Sequence, residues 1–152
     1  MAIAYLGLGT NLGHKRRNLI TAAALLAERV GDILALSGFY ETEPWGFDSE
    51  HTFLNAAVKL QTSCSLFSLL EMTQAIELEL GRTNKTHDSY QDRVIDIDIL
   101  LYDDVVLDTA DLKIPHPLMT KREFVLQPLS EIAPMVVHPV LKQTIIELKK
   151  RL

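Results

Sequence analysis

An α+β fold with a ferredoxin-like βαββαβ core is what the order of hydrophobic periods along this chain predicts. Apolar residues alternate at a spacing of two, switch to helical spacing, and switch back. The first six elements therefore run strand, helix, strand, strand, helix, strand. That order folds into an antiparallel sheet with helices packed on one face, followed here by a C-terminal hairpin and helices. No repeat, linker or low-complexity tract interrupts the 152 residues. They read as a single domain, 1–152, long enough to bury roughly two-thirds of its surface.

Each element has its own signature. Residues 2 to 8 are short, apolar and glycine-flanked, a first strand. From Lys15 to Val30, Leu19, Ala22, Ala23, Leu26 and Val30 share a helical face, and Gly31 is a natural stop. Residues 33 to 42, "ILALSGFYET", return to strand chemistry, and "EPWGFDSEH" reads as a loop broken by Pro44 and Gly46. In "FLNAAVKLQT", residues 53 to 62, Phe53, Asn55, Ala57, Lys59 and Gln61 share a strand face. "LFSLLEMTQAIELEL" sets Leu66, Leu69, Leu70, Thr73, Ile76 and Leu80 on one helical stripe before Gly81. A polar stretch, "RTNKTHDSYQD", leads to the strand "DRVIDIDILLYDD", with Ile95, Ile97, Ile99 and Leu101 on one apolar face. Residues 105 to 114 fit a short hairpin, Pro115 and Pro117 a stiff link, and 120 to 132 and 143 to 151 helical segments.

Hydrophobic residues make up 47% of the chain and charged residues 23%, with a formal net charge of -5. That balance fits a soluble globular protein and argues against a nucleic-acid surface, whose affinity rests on neutralising phosphates. It leaves room for a small anionic ligand held by a few placed arginines. Cys64 is the only cysteine, which excludes an intramolecular disulfide and a cysteine zinc cluster. No apolar run approaches the roughly 18 residues of a membrane span, and no basic leader precedes "MAIAYLGLG". A cytoplasmic protein is expected.

One strand face is anomalous. Asp96 and Asp98 point the same way from a strand built for an interior, about 7 Å apart along the backbone. Two unit charges ~6 Å apart at an effective dielectric of about 20 repel by roughly 3 kcal/mol. A covered face carries such a pair only with compensating cations. Hard carboxylate oxygens suit Mg²⁺, which takes one or two of them and completes its shell with water and substrate phosphates. The competing interpretation is an exposed face on which both carboxylates are hydrated. Asp103 and Asp104 read as part of a turn.

"GLGTNLG", residues 7 to 13, has the wrong spacing for the dinucleotide fingerprint, and no P-loop occurs. It reads as a tight strand-to-helix turn whose backbone approaches whatever sits above the sheet. "HKRR" follows at a helix start, where cations oppose the dipole, and reads as solvated surface, with a phosphate contact as the lesser alternative. Arg82, Lys85 and Arg93 flank the polar stretch before the acids, placed either to clamp triphosphate charge or to solvate a loop. His116 is presented rigidly between Pro115 and Pro117, with Arg122 shortly after. Trp45, Phe47, Phe53 and Phe124 offer aromatic faces and Asn55 an amide, a set that suits a flat heterocycle. Each aromatic taken singly is also ordinary core.

"YLGLGTNLG", "SGFYETEPWG", "FLNAAVKLQT", "QAIELELGR", "DRVIDIDILLY" and "IPHPLMTKREFVLQPLSEIAP" together cover nearly the whole chain. On these blocks it resembles the 6-hydroxymethyl-7,8-dihydropterin pyrophosphokinases of folate biosynthesis. The Arg-x-x-Asp-x-Asp and Pro-His-Pro to Arg-x-Phe-Val-Leu-x-Pro-Leu blocks are the most specific. The resemblance implies transfer of pyrophosphate from ATP to the pterin hydroxymethyl oxygen, with release of AMP. It implies two Mg²⁺ ions on Asp96 and Asp98, bridging the ATP phosphates, and in-line attack governed by positioning and charge neutralisation. Arg82 and Arg93 would clamp the phosphates from a loop, Gln74 and Glu77 would face the nucleotide, and His116 and Arg122 would bind its phosphates. Thr42, Glu43, Trp45, Phe53, Asn55 and Phe124 would line the pterin pocket, Phe53 and Phe124 stacking on the two ring faces. The implied partners are ATP and the dihydropterin, with neither nucleic acid nor membrane, and the chain is expected to be a monomer.

Some positions depart from the family pattern. Thr10 stands where Ser is frequent, His14 where an acid is, and "YQDR" replaces Trp-Gly-Pro-Arg in a loop one residue longer. Asn84, Lys85 and Tyr90 therefore receive no role, and no general base is assigned. Loops 43 to 52 and 82 to 93 are expected to close over bound substrates. On the residues alone two other classes stay open. One is another two-metal nucleotidyl transferase, disfavoured by the negative charge. The other is a metabolite-binding regulatory module, which has no need of two acids beside two arginines.

Overall fold

Alternation decides the sheet. The computed structural model describes residues 1–43, 52–81 and 94–152. Five strands pair in it: β1 (Ala2–Thr10), β2 (Gly31–Leu36), β3 (Tyr40–Thr42), β4 (Phe53–Thr62) and β5 (Asp96–Tyr102). Their order is β2-β4-β1-β5, with β3 also on β4, and every pairing is antiparallel. Helices α1 (Lys15–Arg29) and α2 (Leu66–Glu79) make the two crossovers, so β4 lies between β1 and β2, and β1 between β4 and β5.

One side-chain parity builds the main core. Leu6 and Leu8 of β1, Val58 and Leu60 of β4, and Ile97 and Ile99 of β5 meet Leu19 and Leu26 of α1 and Leu69 and Ile76 of α2. Fully burying a side chain of this size contributes about 1.5–3 kcal/mol. Both core helices thus sit on one face, as expected, and each buries the stripe its spacing predicts. Ser65 starts α2 by accepting the N–H of Ser68 at 3.2 Å, which satisfies one of the first-turn donors.

The C-terminal segment covers part of the other face. A hairpin, β6 (Leu107–Asp108) with β7 (Lys113–Ile114), falls where one is expected. After it come a 3₁₀ turn at Met119–Lys121, α3 (Glu123–Ile132) and α4 (Ile145–Lys150). Met119, Leu126 and Leu129 pack with Ile145 and Leu148 on Tyr5, Ala57, Leu100 and Leu101. A reciprocal cap between Thr144 and Glu147 opens α4.

Three local expectations change. The strand expected over 33 to 42 is two strands, because Ser37 leaves the ladder. Its N–H donates to the Ala57 carbonyl at 2.9 Å while its Oγ accepts the Ala57 N–H at 2.8 Å. The next amide, Gly38, donates to the Glu131 carboxylate of α3 at 3.0 Å. Second, Gly31 opens β2 rather than merely ending α1. A Cβ there would stand 2.1 Å from the Gln61 carbonyl oxygen, so only glycine fits. Third, Leu101 does not join Ile95, Ile97 and Ile99. The β1–β5 register steps from Leu6↔Ile99 to Tyr5↔Leu101, and the extra residue, Leu100, is a bulge. Leu100 and Leu101 consequently both turn to the α3 face.

Candidate active site

The α3 face carries small and polar residues where the other face carries leucines. A solvent-open cleft lies there, with Gly7 and Gly9 of β1, Phe53 and Asn55 of β4, Asp96 and Asp98 of β5, and Phe124 and Val125 of α3 among its walls. Register makes two rows across the sheet: Asn55, Gly9, Asp96 and Ala57, Gly7, Asp98. The middle of each row is bare backbone. At Gly9 a Cβ would lie 3.2 Å from Asn55 Oδ1, so a side chain would both crowd the amide and fill the floor. The sheet backbone itself is thus the floor of the cleft.

The expected tight turn over residues 7 to 13 is thereby corrected. β1 runs through Thr10, and both floor glycines are strand residues. Gly13, at φ 70°, belongs to the turn that follows. Asn18 steadies that turn by donating to the Leu12 carbonyl at 2.9 Å and to Thr10 Oγ1 at 3.2 Å.

On the β4 side the amide of Asn55 is fixed. Its Nδ2 donates to Thr42 Oγ1 at 2.8 Å and to the Tyr40 carbonyl at 3.3 Å, and its Oδ1 lies against Gly9. Asn55 and Phe53 are 3% and 7% exposed, while Thr42 is half-buried and Glu43 exposed. β3 is held in turn by the Tyr40 hydroxyl, which donates to Glu131; that hydrogen bond raises the phenol above its ordinary range. "HKRR" is only partly the solvated surface expected. Lys15 donates to the Thr52 carbonyl and hydroxyl at 3.3 and 3.2 Å, and Arg16 lies over Phe39 with its guanidinium carbon 5.2 Å from the ring centre. His14 and Arg17 are exposed.

On the β5 side Asp96 is 6% exposed and Asp98 half-buried. Their peptide neighbour, Ile97, donates its N–H to Glu77 Oε2 at 2.8 Å. Gln74, one turn earlier on α2, is exposed. His116 is anchored to the bulge, its N–H donating to the Leu100 carbonyl at 3.0 Å. His116 Nδ1 accepts the N–H of Leu118 at 3.2 Å, which leaves the ring proton on Nε2 as a donor. Arg122 is 3% exposed, its guanidinium carbon 5.5 Å from the centre of the Phe124 ring.

Five residues singled out from sequence, Phe53, Asn55, Asp96, Asp98 and Phe124, therefore meet in one cleft. Thr42 and Arg122 touch its walls, and His116 is tied to the strand that carries the acids. Gln74 and Glu77 belong to the helix on the opposite face. Trp45, Phe47, Arg82, Asn84, Lys85, Tyr90 and Arg93, and the closure expected of their two loops, lie outside the described residues. Gly7 and Gly9 as floor were missed, although glycines two apart in an apolar alternation are the signal that finds them.

Among the described residues no three His, Cys, Asp or Glu side chains group together as a metal cage. The donor set present is two hard carboxylates on one rigid strand, open to a cleft. This fits Mg²⁺, which draws the rest of its shell from water and phosphate.

The sequence model of the 7,8-dihydro-6-hydroxymethylpterin-pyrophosphokinase family matches residues 5–134. The chain belongs to this family. Curated pyrophosphokinases agree. That of Porphyromonas gingivalis is 52% identical over 141 residues, spanning 91% of this chain and 95% of its own. That of Aquifex aeolicus is 42% identical over 149 residues, spanning 98% and 91%. Among solved structures, the HPPK-DHPS of Plasmodium falciparum superposes with a TM-score of 0.78 at 21% identity, over 99% of this pyrophosphokinase chain and 44% of its own. At that identity the likeness concerns the fold, and the chain spans less than half of the longer protein.

Proposed function

We propose that this pyrophosphokinase performs its family's reaction, transfer of pyrophosphate from ATP to the hydroxymethyl group of a dihydropterin, in the cleft over Gly7 and Gly9. The observation that carries this placement is the pair of rows, amide to bare backbone to carboxylate, which sets Asn55 and Asp96 on opposite sides of one open floor. The pterin lies at the β4 end. Asn55 Oδ1 faces its edge as an acceptor, since both amide hydrogens are directed to β3, and Phe53 and Phe124 bracket its faces. ATP lies at the β5 end. His116 donates from Nε2 to its phosphates, and Arg122 holds phosphate charge from its place on Phe124. Arg82 and Arg93 complete the clamp.

Asp96 and Asp98 would hold two Mg²⁺ ions, whose chemistry when bound is neutralisation of the triphosphate. The residues supply alignment: the pterin hydroxymethyl oxygen gives up its proton to solvent and bonds to the β-phosphorus, the bond from that phosphorus to the α-phosphate oxygen breaks, and AMP leaves. Every residue invoked comes from one chain, so no second copy is required. The strand order and two split β-α-β crossovers support the ferredoxin-like description.

The test is product identity. Incubation with ATP, Mg²⁺ and the reduced pterin alcohol is expected to yield AMP; ADP as the sole nucleotide product would refute pyrophosphoryl transfer. Calorimetry checks the placement. Pterin should bind tightly only with Mg²⁺ and a non-hydrolysable ATP analogue, and the Asn55→Ala variant should lose that binding.

A further inference from the structure

We propose that Glu77 is a positioning residue for the two acids, acting through the backbone of β5; this rests on Asp96 and Asp98 being the metal-binding pair. Among the described residues β5 pairs with β1 alone, at the edge of the sheet, so its outward N–H groups face away from the ladder. At Ile97, between the acids, that donor goes to Glu77 Oε2 at 2.8 Å. The carboxylate reaches it from α2, which packs on the apolar face and is anchored by Leu69 and Ile76, both 0% exposed. Glu77 itself is 2% exposed. A carboxylate that dry is tolerated where fixed donors meet it, and a charge-assisted hydrogen bond is roughly twice as strong as a neutral one.

The consequence is geometric. Asp96 and Asp98 flank the pinned peptide, so any slide or roll of the edge strand at Ile97 moves both carboxylates together. Holding that single N–H fixes their spacing over the floor. A helix on the far side of the sheet thus sets the geometry of the two acids through the strand backbone, the role that outer partners of metal-binding side chains serve.

The experiment compares Glu77→Ala and Glu77→Gln with the wild-type chain; glutamine keeps an acceptor oxygen. Glu77→Ala is expected to lose hydrogen-exchange protection of the Ile97 amide in the ligand-free protein. It should raise the Mg²⁺ concentration for half-maximal AMP release about 10- to 100-fold, with KM for ATP at saturating Mg²⁺ unchanged. Glu77→Gln should keep the protection and a near-wild-type Mg²⁺ midpoint. A raised KM for ATP with an unmoved Mg²⁺ midpoint would make Glu77 a nucleotide contact and overturn the inference. Loss of Ile97 protection in the glutamine variant would overturn it as well. Should the alanine variant fail to fold, the glutamine variant decides alone by the same two readouts. Asp98→Asn separates the underlying reading: a wild-type Mg²⁺ midpoint there would bring down the metal assignment whatever Glu77 does.

Discussion

The two faces of the sheet are made from the same strands and obey different rules. Beneath α1 and α2, β1, β4 and β5 present Leu6, Leu8, Val58, Leu60, Ile97 and Ile99, a face that only packs. One residue along each strand, the parity reverses and the face carries Gly7, Gly9, Asn55, Asp96 and Asp98. Here α3 and α4 cover one portion with apolar contacts and leave the rest as a cleft. One face is thereby given to packing, and the other is shared between packing and the candidate site. The bulge at Leu100 marks the boundary on β5: before it the parities are pure, and after it two consecutive leucines join the α3 side.

Substitutions on each face should sort accordingly, and the largest effect belongs to the acids. Asp96→Ala or Asp98→Ala is expected to lower turnover by about 10²–10³-fold while circular dichroism and melting stay near wild type. Near-normal rates would break the comparison, because the acids would then be mere surface. On the opposite face Leu60→Ala, at a side chain 0% exposed, should cost about 2–5 kcal/mol in denaturant unfolding. Its folded fraction should keep the wild-type kcat and KM. A change in KM at constant stability would show that the faces are coupled.

Smaller substitutions sharpen the boundary. Gly9→Ala places a methyl 3.2 Å from Asn55 Oδ1, and should raise KM for pterin about tenfold or more, leaving KM for ATP less affected. The smallest effect is expected in the segment between α3 and α4. His138 is buried, and its Nδ1 accepts the N–H groups of Val140 and Leu141 at 3.2 and 3.1 Å. Burial lowers its pKa below the ordinary 6.5. The folded chain therefore binds this proton less readily than the unfolded one. Its contribution to stability is complete above pH 6.5 and is lost as pH falls through the lowered folded value. Melting temperature should drop over that window, and His138→Asn, which keeps an acceptor, should flatten the drop without changing turnover at neutral pH.

Much of the architecture was legible because periodicity is local. The stripe of Leu19, Ala22, Ala23 and Leu26 and the limits of β4 needed nothing beyond neighbouring residues. Asp96 and Asp98 stood out for the same reason, as charges breaking an apolar alternation. Less legible was the break at Ser37, whose hydrogen bonds run to Ala57 and whose successor meets Glu131. The side of Leu101 also escaped, since a bulge shifts parity through the partner strand's register rather than through composition.

The residue order by itself determined most of the elements, the buried stripes of α1 and α2, the paired acids and the family blocks, all properties of short-range spacing. Tertiary structure alone decided that β1 lies between β4 and β5, which turns Gly9 into the floor joining Asn55 to Asp96. It also decided that Glu77 reaches Ile97. Strand order and cross-element hydrogen bonds follow from which faces bury one another across the whole chain, and no local window of residues contains that choice.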